Sequence, residues 1–327
     1  MKILVIFTGG TIGCKAKRGF LSTDDSTNYA LIDSFDPAGE EIEFSTASPY
    51  SVLSENLSAN EINILQKEVL NSLNKGFDGI IVTHGTDSLL YSAAALEYAV
   101  GGCEIPVVLV SADYPLDDSR SNGQRNFEAA IAFIKSKAGN GVFVSYKNDD
   151  EEFTNIHVAS HLLQHHECSA NLYSIEGKPF AVCSERKISV KESLSNEEIL
   201  PLGAVEYSDS SNILVVESHP GDSFCYSLED VSAIILKPYH SATLNTSCQK
   251  FRSFCKMAEE KGIPVFLVNA KEGITYESTS LFSSLNIRVL PFGTFVSAYM
   301  KIWAALSLKE DLTIFLNKKI AREIIEP

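Results

Sequence analysis

The sequence is poor in positive charge and has no long apolar run. Only 27 of its 327 residues are lysine or arginine, against 42 aspartates and glutamates, which gives a formal net charge of −15. So few cations argue against nucleic acid or an anionic membrane as a partner, because little in the chain would neutralise phosphate. No segment approaches the ~18 consecutive apolar residues that a membrane-spanning helix needs.

Paired-cysteine and dinucleotide-binding motifs are also missing. The seven cysteines are odd in number and none has CxxC spacing, which favours reduced thiols over a disulfide framework. The G-x-G-x-x-G fingerprint of dinucleotide-binding proteins is absent. The apolar run at residues 2–7 is too short for a signal peptide and leads directly into two glycines, so we interpret it as a strand and expect a cytoplasmic protein.

Apolar runs alternate with helical patterns along the whole chain, as in α/β proteins with parallel sheets. A chain of 327 residues also favours two domains. We predict a larger N-terminal catalytic domain over residues 1–190, with a flavodoxin-like parallel or mixed sheet and helices on both faces. A linker over 191–211 and a smaller α/β domain with a parallel sheet over 212–327 follow. Residues 13–26 are predicted as a loop and residues 312–325 as a final amphipathic helix.

Two apolar strands end in similar polar, glycine-containing motifs. Residues 3–7 lead into Thr8-Gly9-Gly10-Thr11-Ile12, and residues 80–82 lead into Thr83-His84-Gly85-Thr86-Asp87. In open α/β sheets, ligands bind at the carboxyl edge where such strands end. Threonine hydroxyls there, one of them beside a carboxylate, are typical of nucleophilic chemistry on a small polar substrate. The alternatives are a plain tight turn at residues 9–10 and a helix-capping role for Asp87.

Taken together, the two motifs resemble the signatures of the bacterial-type L-asparaginase family, which includes asparaginase/glutaminase enzymes. T-G-G-T-I near the N-terminus and H-G-T-D near residue 85 are both intact. Further similar segments cover most of the chain: Ser54-Glu55-Asn56, Ser111-Ala112, Ser121-Asn122-Gly123 with Asn126, and Gly293-Thr294. The similarity is strong over roughly the first 130 residues and looser beyond them.

The resemblance implies a set of site residues and roles. Thr11 would attack the side-chain carboxamide, Thr86 would orient the attacking group or water, and Asp87 would bind the substrate α-ammonium. Ser54 would hold the α-carboxylate, and Glu55 would add a second anion near the ammonium. The remaining implied contacts with substrate are Gly10, Gly85 and Ala112. It also implies no metal or cofactor, and a homo-oligomer, a dimer or tetramer, with sites near the subunit interface.

Two residues of the family's pattern are not found at their expected places. The family pairs its second threonine with a lysine, but no lysine falls between Lys147 and Lys178, and Ser160 or its neighbour Ala159 stands in its place. A threonine without a nearby base is a poor nucleophile, so His157 or His161 takes over, Lys147 reaches in, or the chain is a weak catalyst. The mobile-lid tyrosine is replaced by Phe20, unless Tyr29 substitutes for it.

The histidines at 157, 161 and 165 are spaced four apart, with His166, Glu167 and Cys168 following. On a helix these three would share one face, which raises the possibility of a metal site. The alternatives are a general base and ordinary buried or solvated histidines.

These observations leave three hypotheses about function. The first is hydrolysis of free L-asparagine to aspartate and ammonia. The second is an asparaginase-like amino-acid binder or sensor that has lost turnover, which the missing lysine motivates. The third is the asparaginase-like subunit of a transfer-RNA amidotransferase, which we expect less, because such subunits carry an extra N-terminal domain and this chain is strongly acidic.

Overall fold

The computed structural model describes residues 1–17, 20–23, 29–39, 41–166, 168–192, 194, 199–268, 276–291 and 293–325. Within these residues the chain forms two compact units. The first unit comprises Met1–Val205 together with Ile320–Arg322, and the second comprises Glu206–Lys319 together with the residues from Glu323 onward. The predicted linker at 191–211 spans the point where the chain passes from the first unit to the second.

The first unit is built on an eight-stranded mixed sheet in the order β10-β9-β8-β7-β6-β5-β1-β4. Neighbours are parallel from β4 through β1, β5 and β6 to β7, and antiparallel from β7 to β10. The strands are β1 Lys2–Phe7, β4 Glu43–Ala47, β5 Gly79–Thr83, β6 Pro106–Val110, β7 Gly141–Tyr146, β8 Thr154–Val158, β9 Ala181–Ser184 and β10 Lys187–Val190. A separate hairpin contains β2 Cys14–Lys17 and β3 Phe20–Thr23, so the prediction of a loop over 13–26 is wrong for these eight residues.

Helices cover both faces of this sheet. They are α1 Ala30–Asp33, α2 Ala59–Ser72, α3 Leu89–Val100 and α4 Gly123–Ser136. Every residue of β5, β6 and β7 is buried, as expected for strands that are covered on both sides. Ile81 and Phe143 pack with α4 in one hydrophobic cluster, and the alternate residues on the opposite face are equally buried. A capping box formed by Ser58 and Glu61 lies at the start of α2.

Residues 320–322 are bound to the first unit through several polar contacts. The Leu200 backbone N–H donates to the Ile320 carbonyl at 3.0 Å. The Arg322 guanidinium lies 3.7 Å from the Glu97 carboxylate, which is fully buried in α3, and donates to the Asn140 carbonyl at 3.1 Å. The N-terminal unit thus includes a segment that follows nearly all of the second unit in sequence.

The second unit contains a four-stranded parallel sheet in the order β11-β12-β13-β14. Its elements are β11 Ile213–Glu217, β12 Ala233–Lys237, α5 Gln249–Glu260, β13 Val265–Leu267, β14 Ile287–Val289, α6 Phe295–Leu308 and α7 Leu312–Asn317. In its interior, Lys301 of α6 forms an ion pair with Glu323 at 2.5 Å, and both side chains are almost completely buried. The predicted helix over 312–325 is too long, because Lys318 has an extended backbone and ends α7.

The predicted fold class, two α/β units with a mixed and a parallel sheet, is confirmed. No helix within the described ranges is both long enough and apolar enough to cross a membrane.

Candidate active site

The strands that carry the two threonine motifs lie side by side in the sheet. β1 and β5 are parallel neighbours, and Phe7 is paired with Thr83, so the two chains leave the same edge together. The Thr8 hydroxyl donates to the Thr83 carbonyl at 2.6 Å, which links the motifs just beyond the sheet. A backbone bridge from Gly9 to Val52 adds a third segment to the same edge.

The motifs touch at their glycines. Gly10 has a φ of +78°, and a Cβ atom built on it would lie 2.3 Å from the Cα and N atoms of Gly85. No side chain fits at that distance, and the backbone angle also favours glycine. The residues that directly precede Thr11 and Thr86 are therefore in contact. Thr11 and Thr86 are both partly exposed to solvent.

Ser54 lies against this contact and is hydrogen-bonded to Asp87. A Cβ atom on Gly85 would lie 2.5 Å from the Ser54 Cβ and Oγ atoms, so Gly85 is enclosed by Gly10 on one side and Ser54 on the other. Ser54 is buried, and its hydroxyl donates to Asp87 Oδ2 at 3.2 Å. Asp87 is exposed. Long-range packing thus gathers four of the residues singled out in the sequence, Gly10, Ser54, Gly85 and Asp87, from three segments that are more than 30 positions apart.

Glu55 and Ala112 have different surroundings. Glu55 is exposed next to Ser54. Ala112 is fully buried, and its Cβ lies 2.9 Å from the Cβ position of Gly123 at the start of α4. Its side chain therefore packs in the protein interior.

Strand direction separates His157 from the edge that carries the threonines. β8 runs antiparallel to β7, with Val158 paired to Phe143 near the start of β7. The end of β8 therefore lies at the opposite edge of the sheet from Thr83. His157 is buried within β8, and its Nδ1 atom lies 2.8 Å from the Ser174 hydroxyl. Burial lowers the pKa of His157 to about 3, so this imidazole is neutral near pH 7 and a very weak base.

Ser160 and His161 lie in the short 3-10 turn after β8, again far from the carboxyl edge. The Ser160 backbone N–H donates to Glu97 Oε2 at 2.6 Å. His161 Nε2 lies 2.8 Å from the Arg322 carbonyl, and burial lowers its pKa below the usual range. Both residues therefore face the cluster around Glu97 and Arg322.

Of the residues considered as replacements for the family's lysine, Lys147 alone follows the carboxyl end of a parallel strand. It comes directly after β7, two strands away from β5. Its Nζ atom donates to the Asn148 carbonyl at 3.0 Å. An ammonium group is thus present at this edge of the sheet.

The four-residue spacing of the histidines does not reflect a helix. His157 is in β8, His161 is in the 3-10 turn, and His165 is in the loop beyond it. Glu167 lies outside the described residues. In the part of the chain that the structure describes, no three His, Cys, Asp or Glu side chains are placed to hold a metal ion.

The candidates for the lid tyrosine can be only partly placed. Phe20 is in β3, but its side chain lies outside the described part of the structure. Tyr29 is 52% exposed, and its ring centroid lies 6.0 Å from that of Phe7, the last residue of β1. The Tyr29 ring therefore packs beside the last residue of β1.

Two residues at this edge were not singled out in the sequence. Val52 binds the first glycine motif through both its backbone groups, since its N–H donates to the Thr8 carbonyl and its carbonyl accepts from the Gly10 N–H, each at 3.1 Å. The Ser88 hydroxyl donates to the Ser54 carbonyl at 2.7 Å. Its position directly after Asp87 is the one sequence feature that could have identified Ser88 as a site residue.

Comparison with known proteins establishes the family. The family described as "Asparaginase, N-terminal" matches residues 2–195, which is more than half of the chain. The protein therefore belongs to the asparaginase family. A solved structure of the thermostable L-asparaginase from Thermococcus kodakarensis has a TM-score of 0.80 over 100% of both chains, at 21% sequence identity, and so shares the fold.

Curated relatives have two kinds of name. A glutamyl-tRNA(Gln) amidotransferase subunit from Methanosarcina acetivorans is 25% identical over 281 residues, covering 86% of this chain and 58% of the relative. The L-asparaginase of Thermococcus kodakarensis is 33% identical over 150 residues, covering 45% of this chain and 44% of the relative. The chain spans about half the length of the curated relatives it matches.

Proposed function

We propose that the first unit is an amidohydrolase domain that converts L-asparagine to L-aspartate and ammonia. The observation that carries this proposal is the contact of Gly10 with Gly85 beside Ser54. It brings two half-buried threonines and an exposed carboxylate to one edge of the sheet. Hydroxyls in such a cluster suit acyl transfer better than binding alone, because binding an amino acid needs no nucleophile.

In the proposed reaction, Thr11 Oγ1 attacks the side-chain carboxamide carbon and its proton passes to the departing ammonia. The resulting acyl-enzyme ester is cleaved by water, which Thr86 orients, and aspartate is released with the Thr11 hydroxyl restored. Backbone N–H groups near Thr11 and Thr86 stabilise the oxyanion, a contribution of about 3 kcal/mol for each donor in known cases. Lys147 is our choice as the cation that assists proton transfer.

The rest of the site holds the amino-acid part of the substrate. Asp87 binds the α-ammonium group, with Glu55 as a second anion. Ser54 binds the α-carboxylate, and its hydroxyl turns its proton from Asp87 to the substrate when it does so. Gly10 and Gly85, which have no side chains, contact the substrate through their backbone groups. Because its side chain is in the interior, Ala112 contributes through its backbone. We also propose that the protein acts in the cytoplasm as a homo-oligomer, without a metal or cofactor.

The main test is ammonia release from L-asparagine by the wild type, Thr11→Ala and Thr86→Ala. We expect each substitution to lower kcat by about 1,000-fold or more, as removal of a nucleophile or its partner does in other enzymes. Thr46→Ala is the matched control, because Thr46 is an exposed threonine of β4 in the same sheet. Equal rates in all four proteins would refute the proposal.

A second candidate is an asparaginase-like amino-acid-binding protein with little or no turnover. The placement of His157, Ser160 and His161 away from the threonine edge favours it, since none of them replaces the family's lysine there. Calorimetry that detects L-aspartate binding, combined with no ammonia release and no acyl-enzyme, would support this second candidate.

A third candidate is amide hydrolysis as a subunit of a transfer-RNA amidotransferase. The match of 281 residues to the amidotransferase subunit from Methanosarcina acetivorans favours it, and the formal net charge of −15 argues against direct RNA contact by this chain. Activity on free asparagine by the chain alone would separate the first candidate from the third.

A choice between asparagine and glutamine rests on one methylene, for which discrimination is only about 1–3 kcal/mol.

A further inference from the structure

The side chain of Ser88 is turned away from the helix that it precedes. Ser88 is the N-cap residue of α3, and a serine in this position commonly accepts a hydrogen bond from a first-turn N–H group. Ser88 makes no such capping bond. Its hydroxyl donates instead to the Ser54 carbonyl, at 2.7 Å. Helix α3 therefore has no side-chain cap from Ser88, because the hydroxyl is hydrogen-bonded to a residue 34 positions earlier in the sequence.

Ser88 and its neighbour Asp87 together bind both polar ends of one residue. The Ser54 carbonyl accepts from the Ser88 hydroxyl, and the Ser54 hydroxyl donates to Asp87 Oδ2 at 3.2 Å. The same carbonyl accepts from the Leu57 N–H at 3.3 Å, which closes the turn Ser54–Asn56. Gly85 also packs against the Cβ and Oγ atoms of Ser54. Residues 85–88 thus fix both the backbone and the side-chain rotamer of Ser54.

We propose that Ser88 is a positioning residue that holds Ser54 and Asp87 at the spacing required to bind the α-amino-acid end of the substrate. This inference rests on the proposed function, because Ser54 and Asp87 are the residues assigned to the α-carboxylate and the α-ammonium. Groups that bind a ligand must be held within about 0.5 Å of their working positions by neighbours of this kind. Ser88 itself touches neither the substrate nor the reacting atoms.

Kinetics distinguish positioning from a purely structural role. The amino-acid end of the substrate is bound equally in the ground state and the transition state, so its misplacement raises KM with little change in kcat. For Ser88→Ala we expect KM for asparagine, and the Kd for aspartate, to rise about fivefold, which is the effect of one lost hydrogen bond. Ser88→Thr keeps the hydroxyl and should restore both constants to within about twofold of the wild type.

Ser136→Ala is the matched control. The Ser136 hydroxyl also donates to a backbone carbonyl at 2.7 Å, that of Phe133, but it lies at the other end of α4 from the carboxyl edge of the sheet. We expect its KM to be unchanged. A Ser88→Ala variant with wild-type KM and Kd, or one that only loses thermal stability, overturns the inference. If Ser88→Ala does not fold, failure of Ser88→Thr to bind aspartate as the wild type does also overturns it.

Hydrogen exchange separates failure of this inference from failure of the proposed function. Without ligand, Ser88→Ala should speed exchange of the Leu57 amide, whose acceptor is the Ser54 carbonyl, and Ser136→Ala should not. A wild type that neither hydrolyses asparagine nor binds aspartate refutes the proposed function, and with it any role of Ser88 in binding, whatever the exchange rates. A wild type that binds aspartate, together with an unchanged Leu57 exchange rate in Ser88→Ala, refutes the positioning role alone.

Discussion

Replacing Gly10 by alanine tests the contact on which the proposed site depends, and the chain provides a closely matched control. Gly10 and Gly76 share a φ of +78°. A Cβ atom on Gly10 would lie 2.3 Å from the Gly85 backbone, whereas one on Gly76 would have nothing within 4 Å. Gly76→Ala therefore carries the backbone strain of the substitution, and Gly10→Ala carries the same strain plus a collision.

The two costs can be estimated separately. An alanine in the left-handed region costs roughly 1–2 kcal/mol, which is the expected loss of unfolding free energy for Gly76→Ala. Carbon atoms pack at about 3.5–4.0 Å, so Gly10→Ala must displace the Gly85 backbone by more than about 1 Å. Overpacking of this kind costs a further 1–3 kcal/mol, roughly. A displacement of about 1 Å near reacting groups can also lower the rate by about 100-fold.

Urea unfolding followed by circular dichroism gives the stability difference between the variants, and ammonia release gives the difference in activity. We expect Gly76→Ala to retain wild-type kcat/KM and Gly10→Ala to lose most of it. Equal stability losses in the two variants, together with equal activities, would show that the loops before Thr11 and Thr86 are not in contact. The stability comparison holds even if the substrate is not asparagine.

Two further predictions concern buried ionisable side chains. Burial lowers the folded-state pKa of His157 to about 3. Below about pH 6.5, His157 is therefore protonated in the unfolded chain but stays neutral in the folded chain. The free energy of unfolding should therefore fall from pH 6.5 towards pH 3, by about 2 kcal/mol at pH 5 from this residue. Urea unfolding at pH 7 and pH 5 should show a smaller difference in this free energy for His157→Gln than for the wild type. Lys301→Met removes the cation beside the buried Glu323 carboxylate and should cost about 3–5 kcal/mol, measured by urea unfolding with Trp303 fluorescence. Adding Glu323→Gln should recover most of that loss, and no recovery would argue against the ion pair as the cause.

Strong local signals made most of the fold predictable from the sequence. The mostly apolar runs of β5, β6 and β7 favour strands that are buried along their whole length. The capping box at Ser58 and Glu61 marks the start of α2 by local hydrogen bonding alone. The β2–β3 hairpin was missed because its first strand, Cys14-Lys15-Ala16-Lys17, has little apolar character.

The contacts within the candidate site were less predictable. Sequence motifs placed Thr11 and Thr86 at the ends of strands, but the close approach of Gly10 to Gly85 depends on β1 and β5 being neighbours in the sheet. The direction of β8 likewise decides where His157 lies, and four-residue spacing is as compatible with a strand as with a helix. The hydroxyl of Ser88 could have been assigned to its own helix from sequence alone, and only the fold reveals Ser54 as its acceptor.

The return of residues 320–322 to the first unit has a consequence for the order of folding during synthesis. Arg322 is the cation next to the buried Glu97, and the Ile320 carbonyl accepts from the Leu200 N–H. Both partners in the N-terminal unit are translated more than 100 residues before these groups exist. The ion pair between Glu97 and Arg322 can therefore form only after all of residues 206–319 have been synthesised. A chain that ends at Val205 would lack these contacts in the interior of its own unit.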